Sequence, residues 1–150
     1  MLLMENSCSI ARSLEVLGER WTFLVVREAL SGTTRFAEFR ANLQVAPDVL
    51  TTRLNTLVAA GVLERRPYQE EGRRVRHDYH LTPAGAELQV VLGALQQWGD
   101  AHRPYALGAT IDRRSADGRP LHVAFVDEAG QEVPLAEVRF ERTASYPAAG

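Results

Sequence analysis

The sequence predicts a mainly α-helical fold with a small β component, because helical periodicity covers most of its first two thirds. Apolar residues recur at helical spacing in several segments between residues 7 and 102. Two short alternating segments, 62–69 and 75–81, enclose the Gly-containing turn EEGRR. From residue 104 the 150-residue chain is rich in turn residues and poorly periodic. We therefore expect one small domain with a C-terminal extension.

The first helices are predicted from their apolar spacing and their stop signals. Ile10, Leu14 and Leu17 share one face of a helix over about 8–17 that ends at Gly18. ERWTFLVVREAL (19–30) is apolar on nearly every side, as expected of a helix at the centre of a domain. A short helix, RFAEFRANL, follows, and either Thr33 or Thr34 is expected to cap it.

The stretch APDVLTTRLNTL (46–57) predicts a helix with two unlike faces, which begins at Pro47. At 100° per residue its leucines form one buried stripe, and the opposite face carries short polar side chains, namely Asp48, Thr51, Thr52 and Asn55. Such a face is either the solvent side of a packing helix or a surface that hydrogen-bonds a ligand. For Arg53, at its flank, an ion pair with an acid such as Glu38 is an alternative.

After this helix we expect a two-stranded hairpin and then a long helix over 83–102, which starts at a Thr-Pro signal. Beyond it, LHVAFV (121–126) and EVRFER (137–142) are predicted to form a second hairpin. The expected domains are therefore 1–103 and a β-containing extension, 104–150.

Charge is unevenly distributed along a chain whose formal net charge is -2. All 17 basic residues are Arg, and residues 65–77 hold five of them beside only two acids. A near-neutral total therefore does not exclude a nucleic-acid partner.

Helices joined by a brief turn and followed by a basic hairpin make a winged helix-turn-helix. A helix fills the major groove of DNA, Thr and Asn hydrogen-bond base edges, and arginines on the hairpin reach phosphates or the minor groove. This interpretation predicts double-stranded DNA as partner, with contacts from Thr34, Arg35, Pro47, Thr51, Thr52, Arg53, Asn55, Arg73, Arg74 and Arg76. A winged helix that serves only as a protein-interaction module is the alternative.

Four motifs, CSIARSLEVLGERWT, TTRFAEF, APDVLTTRLNTLVAAGVLERR and YHLTPAG, resemble the HxlR-type regulators, which are related to the MarR type. The resemblance covers about residues 7–103 and implies a cytoplasmic, homodimeric bacterial transcription regulator with a pseudo-palindromic operator. It implies a dimer interface on the first and last helices, with Ile10, Leu14, Leu88, Leu92, Leu95 and Trp98 as candidates. A Ser is frequent in this family at the capping position, where this chain has Ala46. The alanine forgoes a helix cap worth about 1 kcal/mol.

Cys8 is the single cysteine, so an intramolecular disulfide is excluded. Near a helix N-terminus and Arg12 it is a candidate sensor of oxidants or electrophiles, and the alternative is a small apolar interface residue. A small-molecule effector bound between the helices, near Trp21 or Trp98, is an alternative signal. No catalytic signature, metal-ligand spacing or cofactor motif is visible, so we expect no enzyme, no metal and no cofactor. No apolar run approaches a membrane span and no secretion signal is visible.

Overall fold

The computed structural model describes residues 7–146. The first helices are α1 (Ser9–Leu17), α2 (Arg20–Leu30), α3 (Phe36–Leu43) and α4 (Pro47–Ala59). They are followed by β1 (Leu63–Tyr68), β2 (Arg76–Leu81) and α5 (Pro83–His102). A 3-10 helix spans Leu135–Glu137. The mainly α-helical prediction is confirmed, and each predicted helix lies within about two residues of its expected position.

The chain divides into two compact units, Met1–Gln89 and Val90–Gly150. In the first unit α2 packs against α1, α3, α4 and β2, which makes it the central helix, as its sequence predicts. The core side chains with no solvent exposure include Val25, Val26, Phe39, Leu50, Leu54 and Leu57. Since the division falls inside α5, it lies earlier in the chain than the boundary expected after residue 103.

The turn between α3 and α4 is closed by a left-handed residue. Gln44 has φ of 51°, and its backbone N–H donates to the carbonyl of Arg40 at 2.9 Å, which ends α3. Pro47 then occupies the first turn of α4. No side chain caps α4, because the N-cap residue is Ala46. The short turn holds the two helices in contact with each other.

The cap of α3 differs from the expectation. Its N-cap is Arg35, not Thr33 or Thr34, and the carboxylate of Glu38 accepts a hydrogen bond from the backbone N–H of Arg35 at 3.3 Å. The carbonyl of Thr34 instead accepts the backbone N–H of Tyr79 at 2.8 Å. This bond, with the bridge between Arg35 and Asp78, draws the chain before α3 onto the edge of β2. Long-range pairing thus decides where α3 begins.

Strands β1 and β2 form the predicted antiparallel hairpin, with Leu63 opposite Leu81 and Tyr68 opposite Arg76. The two strands and the turn joining them (63–81) are called the wing below. The side-chain oxygen of Thr82 then accepts the backbone N–H of Gly85 at 3.1 Å, which caps α5. This cap confirms the Thr-Pro helix-entry signal.

The extension differs from the single hairpin expected between 121–126 and 137–142. Two separate tight turns form instead, closed by isolated bridges between Arg114 and Pro120 and between Val126 and Glu132. In the second turn Asp127 Oδ1 accepts the backbone N–H groups of Ala129 and Gln131, both at 2.9 Å. Such local bonds close each turn within a few residues, and 137–142 has no strand partner among the described residues.

Candidate nucleic-acid interface

Helix α4 separates its side chains as the sequence predicts. Leu50, Leu54 and Leu57 are fully buried and join the core of the first unit. Thr51, Thr52 and Asn55 are exposed on the opposite side and are called the polar face below. Because the leucine stripe fixes the rotation of α4, the polar face cannot turn inward without emptying the core.

The hydroxyl groups of both threonines of the polar face already donate hydrogen bonds to the backbone of α4. Thr51 Oγ1 donates to the carbonyl of Pro47 at 2.8 Å, and Thr52 Oγ1 donates to the carbonyl of Asp48 at 2.9 Å. Each hydroxyl oxygen keeps acceptor capacity, and each side chain also exposes a methyl group. The threonines can therefore accept a hydrogen bond from a base amino group or contact a thymine methyl.

Asn55 is hydrogen-bonded to the wing by Arg65, which is not among the DNA contacts that the sequence predicts. Arg65, on β1, donates a hydrogen bond from Nη2 to the side-chain oxygen of Asn55. The Asn55 amide NH2 remains as a donor toward solvent. The hydrophobic periodicity contains no signal for this pair, because the partners lie ten residues apart on different elements.

Arg53 is half-buried at the flank of the polar face and makes no ion pair within the described part of the chain. The alternative pairing with Glu38 is not formed, since that carboxylate caps α3. Asp48 lies in the first turn of α4, where its charge favours the helix N-terminus.

Arginines of the wing fall into two groups. Arg65 is bound to Asn55, and Arg66 is paired with Glu64 on the same strand. The side chains at the turn, Arg73, Arg74 and Arg76, are exposed and have no ion pair or side-chain hydrogen bond across residues 7–146. These three arginines, at the turn and at the start of β2, therefore present positive charges without an ion-pair partner among the described residues, beside the acids Glu70 and Glu71 of the same turn.

Arg35 is expected at the interface, but an acid of the wing turn holds it. Its Nη1 lies 2.8 Å from Glu70 Oε1, and its guanidinium carbon lies 4.6 Å from the centre of the Tyr68 ring. The side chains of the ion pair are solvent-exposed, so the pair stabilises the fold by at most about 1 kcal/mol. Arg35 can exchange this partner for a phosphate at small cost.

The candidate dimer residues differ in exposure. Ile10 and Leu14 on α1 are 72% and 53% exposed, and Leu95 and Trp98 on α5 are 51% and 59% exposed. Leu92 is buried within its own chain, and Leu88 is half-buried. Leu92 is therefore a core residue of the protomer, while the exposed four remain candidates for contact with a partner.

Cys8 is a free, exposed thiol at the N-cap of α1. The nearby Arg12 donates from Nη2 to Ser9 Oγ at 3.1 Å. No helix among the described residues is both long enough and apolar enough to cross a membrane.

Residues 16–106 match the HxlR-like helix-turn-helix family. The chain belongs to this family. An uncharacterised HTH-type transcriptional regulator of Mycobacterium bovis is 42% identical over 106 residues, which are 71% of this chain and 66% of that relative. The chain thus spans just under two thirds of the length of this curated relative.

Solved structures resemble this HxlR-like protein over different lengths. PA1607, described as a candidate transcription factor, has a TM-score of 0.79 and 32% identity, and the match covers 91% of this chain and 96% of that one. The redox regulator HypR, in its reduced form, has a TM-score of 0.58 and 27% identity, covering 64% of this chain and 94% of its own. The family is a helix-turn-helix family, and the Mycobacterium relative is named a transcriptional regulator. The winged-helix prediction is confirmed.

Proposed function

We propose that this HxlR-like protein is a homodimeric, sequence-specific DNA-binding transcriptional regulator. The observation that carries the proposal is the division of α4 into a fully buried leucine stripe and an exposed polar face. Short hydrogen-bonding side chains on the outer side of a helix suit contact with base edges in the major groove. Here that side stands beside a wing whose turn carries unpaired arginines.

In this proposal α4 enters the major groove, and the polar face contacts base edges. The exposed Thr oxygens accept hydrogen bonds and the Asn55 amide donates one, so the face distinguishes base pairs without carrying charge. Thr34 and Arg35 precede α3 and Pro47 begins α4, and in this proposal they contact the DNA backbone beside the groove. Arg53 flanks the same groove.

Affinity comes from the turn of the wing. Arg73, Arg74 and Arg76 contact phosphates or the adjacent minor groove, since a cation that neutralises a phosphate releases a counterion. Each such contact steepens the salt dependence by about 0.9 in the slope of log K against log salt. Three arginines without an ion-pair partner in residues 7–146, at the turn and at the start of β2, thus supply a positive surface in a chain of net charge -2.

The dimer in this proposal is twofold, with contacts from the exposed apolar side chains of α1 and α5. Two copies of α4 then enter successive major grooves on one face of the duplex. The operator is accordingly pseudo-palindromic, with half-sites about 10 bp apart.

Fluorescence anisotropy with the duplex upstream of the protein's own gene tests the proposal. Arg73→Ala with Arg74→Ala should weaken binding to all sequences and reduce the salt slope by about 2. Arg114→Ala with Arg119→Ala is the matched control, because these two arginines already pair with Asp112 and Asp117 at 3.1 and 2.8 Å. An absence of duplex affinity at low salt would instead favour the protein-interaction module.

In this proposal Cys8 is the residue that senses a redox signal and changes DNA affinity. Its thiol is exposed at the start of α1, and the similar protein HypR is named a redox regulator. With one cysteine per chain, oxidation leads to a disulfide with Cys8 of a second copy or to a mixed disulfide with a small thiol. Gel shifts of oxidised and reduced protein should differ, and Cys8→Ser should behave as the reduced form in both. Equal affinity in the two states would exclude Cys8 as the switch.

A further inference from the structure

A cavity of about 220 Å³ lies within the second unit of the chain. One wall is the side of α5 that carries Gly93, Gln96, Gln97 and Asp100, and the other walls come from residues 109–123. The residues proposed for DNA binding lie elsewhere, in the first unit. This cavity therefore raises a separate question of ligand binding.

The walls are held by specific contacts between α5 and the extension. Gln97 Nε2 donates to the carbonyl of Val123 at 3.0 Å, and Gln97 Oε1 accepts the Val123 backbone N–H at 2.9 Å. Gln96 Nε2 donates to the carbonyl of Ile111 at 2.7 Å. A Cβ at Gly93 would lie 2.9 Å from Val123 Cγ2 and 3.3 Å from Arg113 Nε, so glycine permits this close approach. The cavity is thus a built feature of the unit.

Some of the charged groups that line the cavity have an ion-pair partner among residues 7–146, and others have none. Asp112 and Arg114 pair with each other at 3.1 Å, and His122 lies 2.9 Å from Glu132. Arg113 and Asp100 form no ion pair with any residue in 7–146. The Nε of Arg113 is moreover buried and has no hydrogen-bond partner in that range.

An unpaired buried donor on a charged group is costly, and such groups in native proteins require an explanation. The guanidinium edge presents parallel N–H groups that match the two oxygens of a carboxylate. Asp100 on the same cavity disfavours a ligand with a second negative charge, because like charges repel across a short distance. The volume is below the roughly 300–1,000 Å³ of sites for drug-sized molecules.

We propose that this cavity is a binding site for a small monocarboxylate, which the guanidinium of Arg113 holds while Asp100 disfavours dianions. The site is independent of the DNA-binding proposal, because its residues and its test involve no DNA.

The test follows the side-chain Nε–H resonance of Arg113 by proton–nitrogen NMR in the full chain during titration with sodium acetate. Sodium chloride at matched ionic strength is the blank. Acetate should shift the Arg113 resonance saturably and leave that of Arg139 unchanged, since Arg139 is exposed and does not line the cavity. No shift at Arg113, or the same drift at both arginines, would overturn the proposal.

Two variants test the roles of Arg113 and Asp100 separately. Arg113→Gln should weaken acetate binding about tenfold or more, as expected for loss of a charge-assisted bond, while the matched control Arg139→Gln should not. Asp100→Asn should tighten acetate binding and admit succinate. Unchanged succinate exclusion in Asp100→Asn would overturn the role of Asp100. If Arg113→Gln fails to fold, the titration of the unmodified protein alone decides the proposal.

Discussion

Arg65 of the wing donates a hydrogen bond to the side-chain oxygen of Asn55 on the polar face of α4. The bond links a charged residue of β1 to the proposed base-reading surface. It orients the Asn55 amide so that its NH2 group is available to a partner. Arg65 is therefore a positioning residue in the proposed interface.

Asn55→Asp separates orientation from base contact. Aspartate retains an oxygen that accepts from Arg65, but it replaces the outward NH2 donor by an acceptor. We expect a loss of about 1–3 kcal/mol in discrimination at the contacted base pair, with unfolding temperature little changed. Binding to a set of operator duplexes with single base-pair changes measures this loss. Unchanged discrimination between base pairs would show that Asn55 does not contact a base.

Glu70→Gln should strengthen DNA binding. The substitution removes the acid that pairs with Arg35 at 2.8 Å, so the guanidinium becomes available to phosphate. The increase should be similar for all duplex sequences and should steepen the salt slope by up to about 1. Anisotropy measures both quantities, with Glu137→Gln in the 3-10 helix as a control of equal charge change. Unchanged affinity would show that Arg35 is not an interface residue.

Gly85 and Gly99 of α5 should respond oppositely to alanine. A Cβ at Gly85 would lie 2.1 Å from the carbonyl oxygen of Val62, whereas a Cβ at Gly99 would face open space within the described part of the chain. Gly85→Ala should therefore lower the unfolding temperature, because backbone has to move. Gly99→Ala should leave it unchanged or raise it, since alanine favours a helix by up to about 1 kcal/mol over glycine. Thermal unfolding followed by circular dichroism compares them, and equal effects would contradict this packing.

Leu95→Glu should dissociate the proposed homodimer with little effect on the fold of the protomer. Leu95 is 51% exposed in the single chain, so a charge there costs little unless a partner covers it. Sedimentation velocity measures the mass, with Val75→Glu in the wing turn, 54% exposed, as the matched control. A dimer that survives Leu95→Glu would place the interface elsewhere.

Periodicity and local signals were sufficient for the helices and the wing. The leucine stripe of α4 and the Thr-Pro start of α5 both predict elements that the structure confirms. The second hairpin was predicted incorrectly in its pairing, because alternating segments do not specify their partners. Turns centred near Gly118 and Gly130, with φ of 85° and 78°, form instead, and their short loops cost less closure entropy than the longer hairpin.

The sequence by itself determined which side of α4 is buried, because a 3.6-residue repeat of leucines admits only one rotation. It also determined where positive charge concentrates. Only the tertiary structure decided which arginines are unpaired, since Arg35 and Arg65 find partners on other elements, 35 and 10 residues away in the chain. The cavity at Arg113 likewise exists only where α5 meets residues 109–123. Pairing of charges depends on side-chain positions in space, and hydrophobic periodicity carries no information about them.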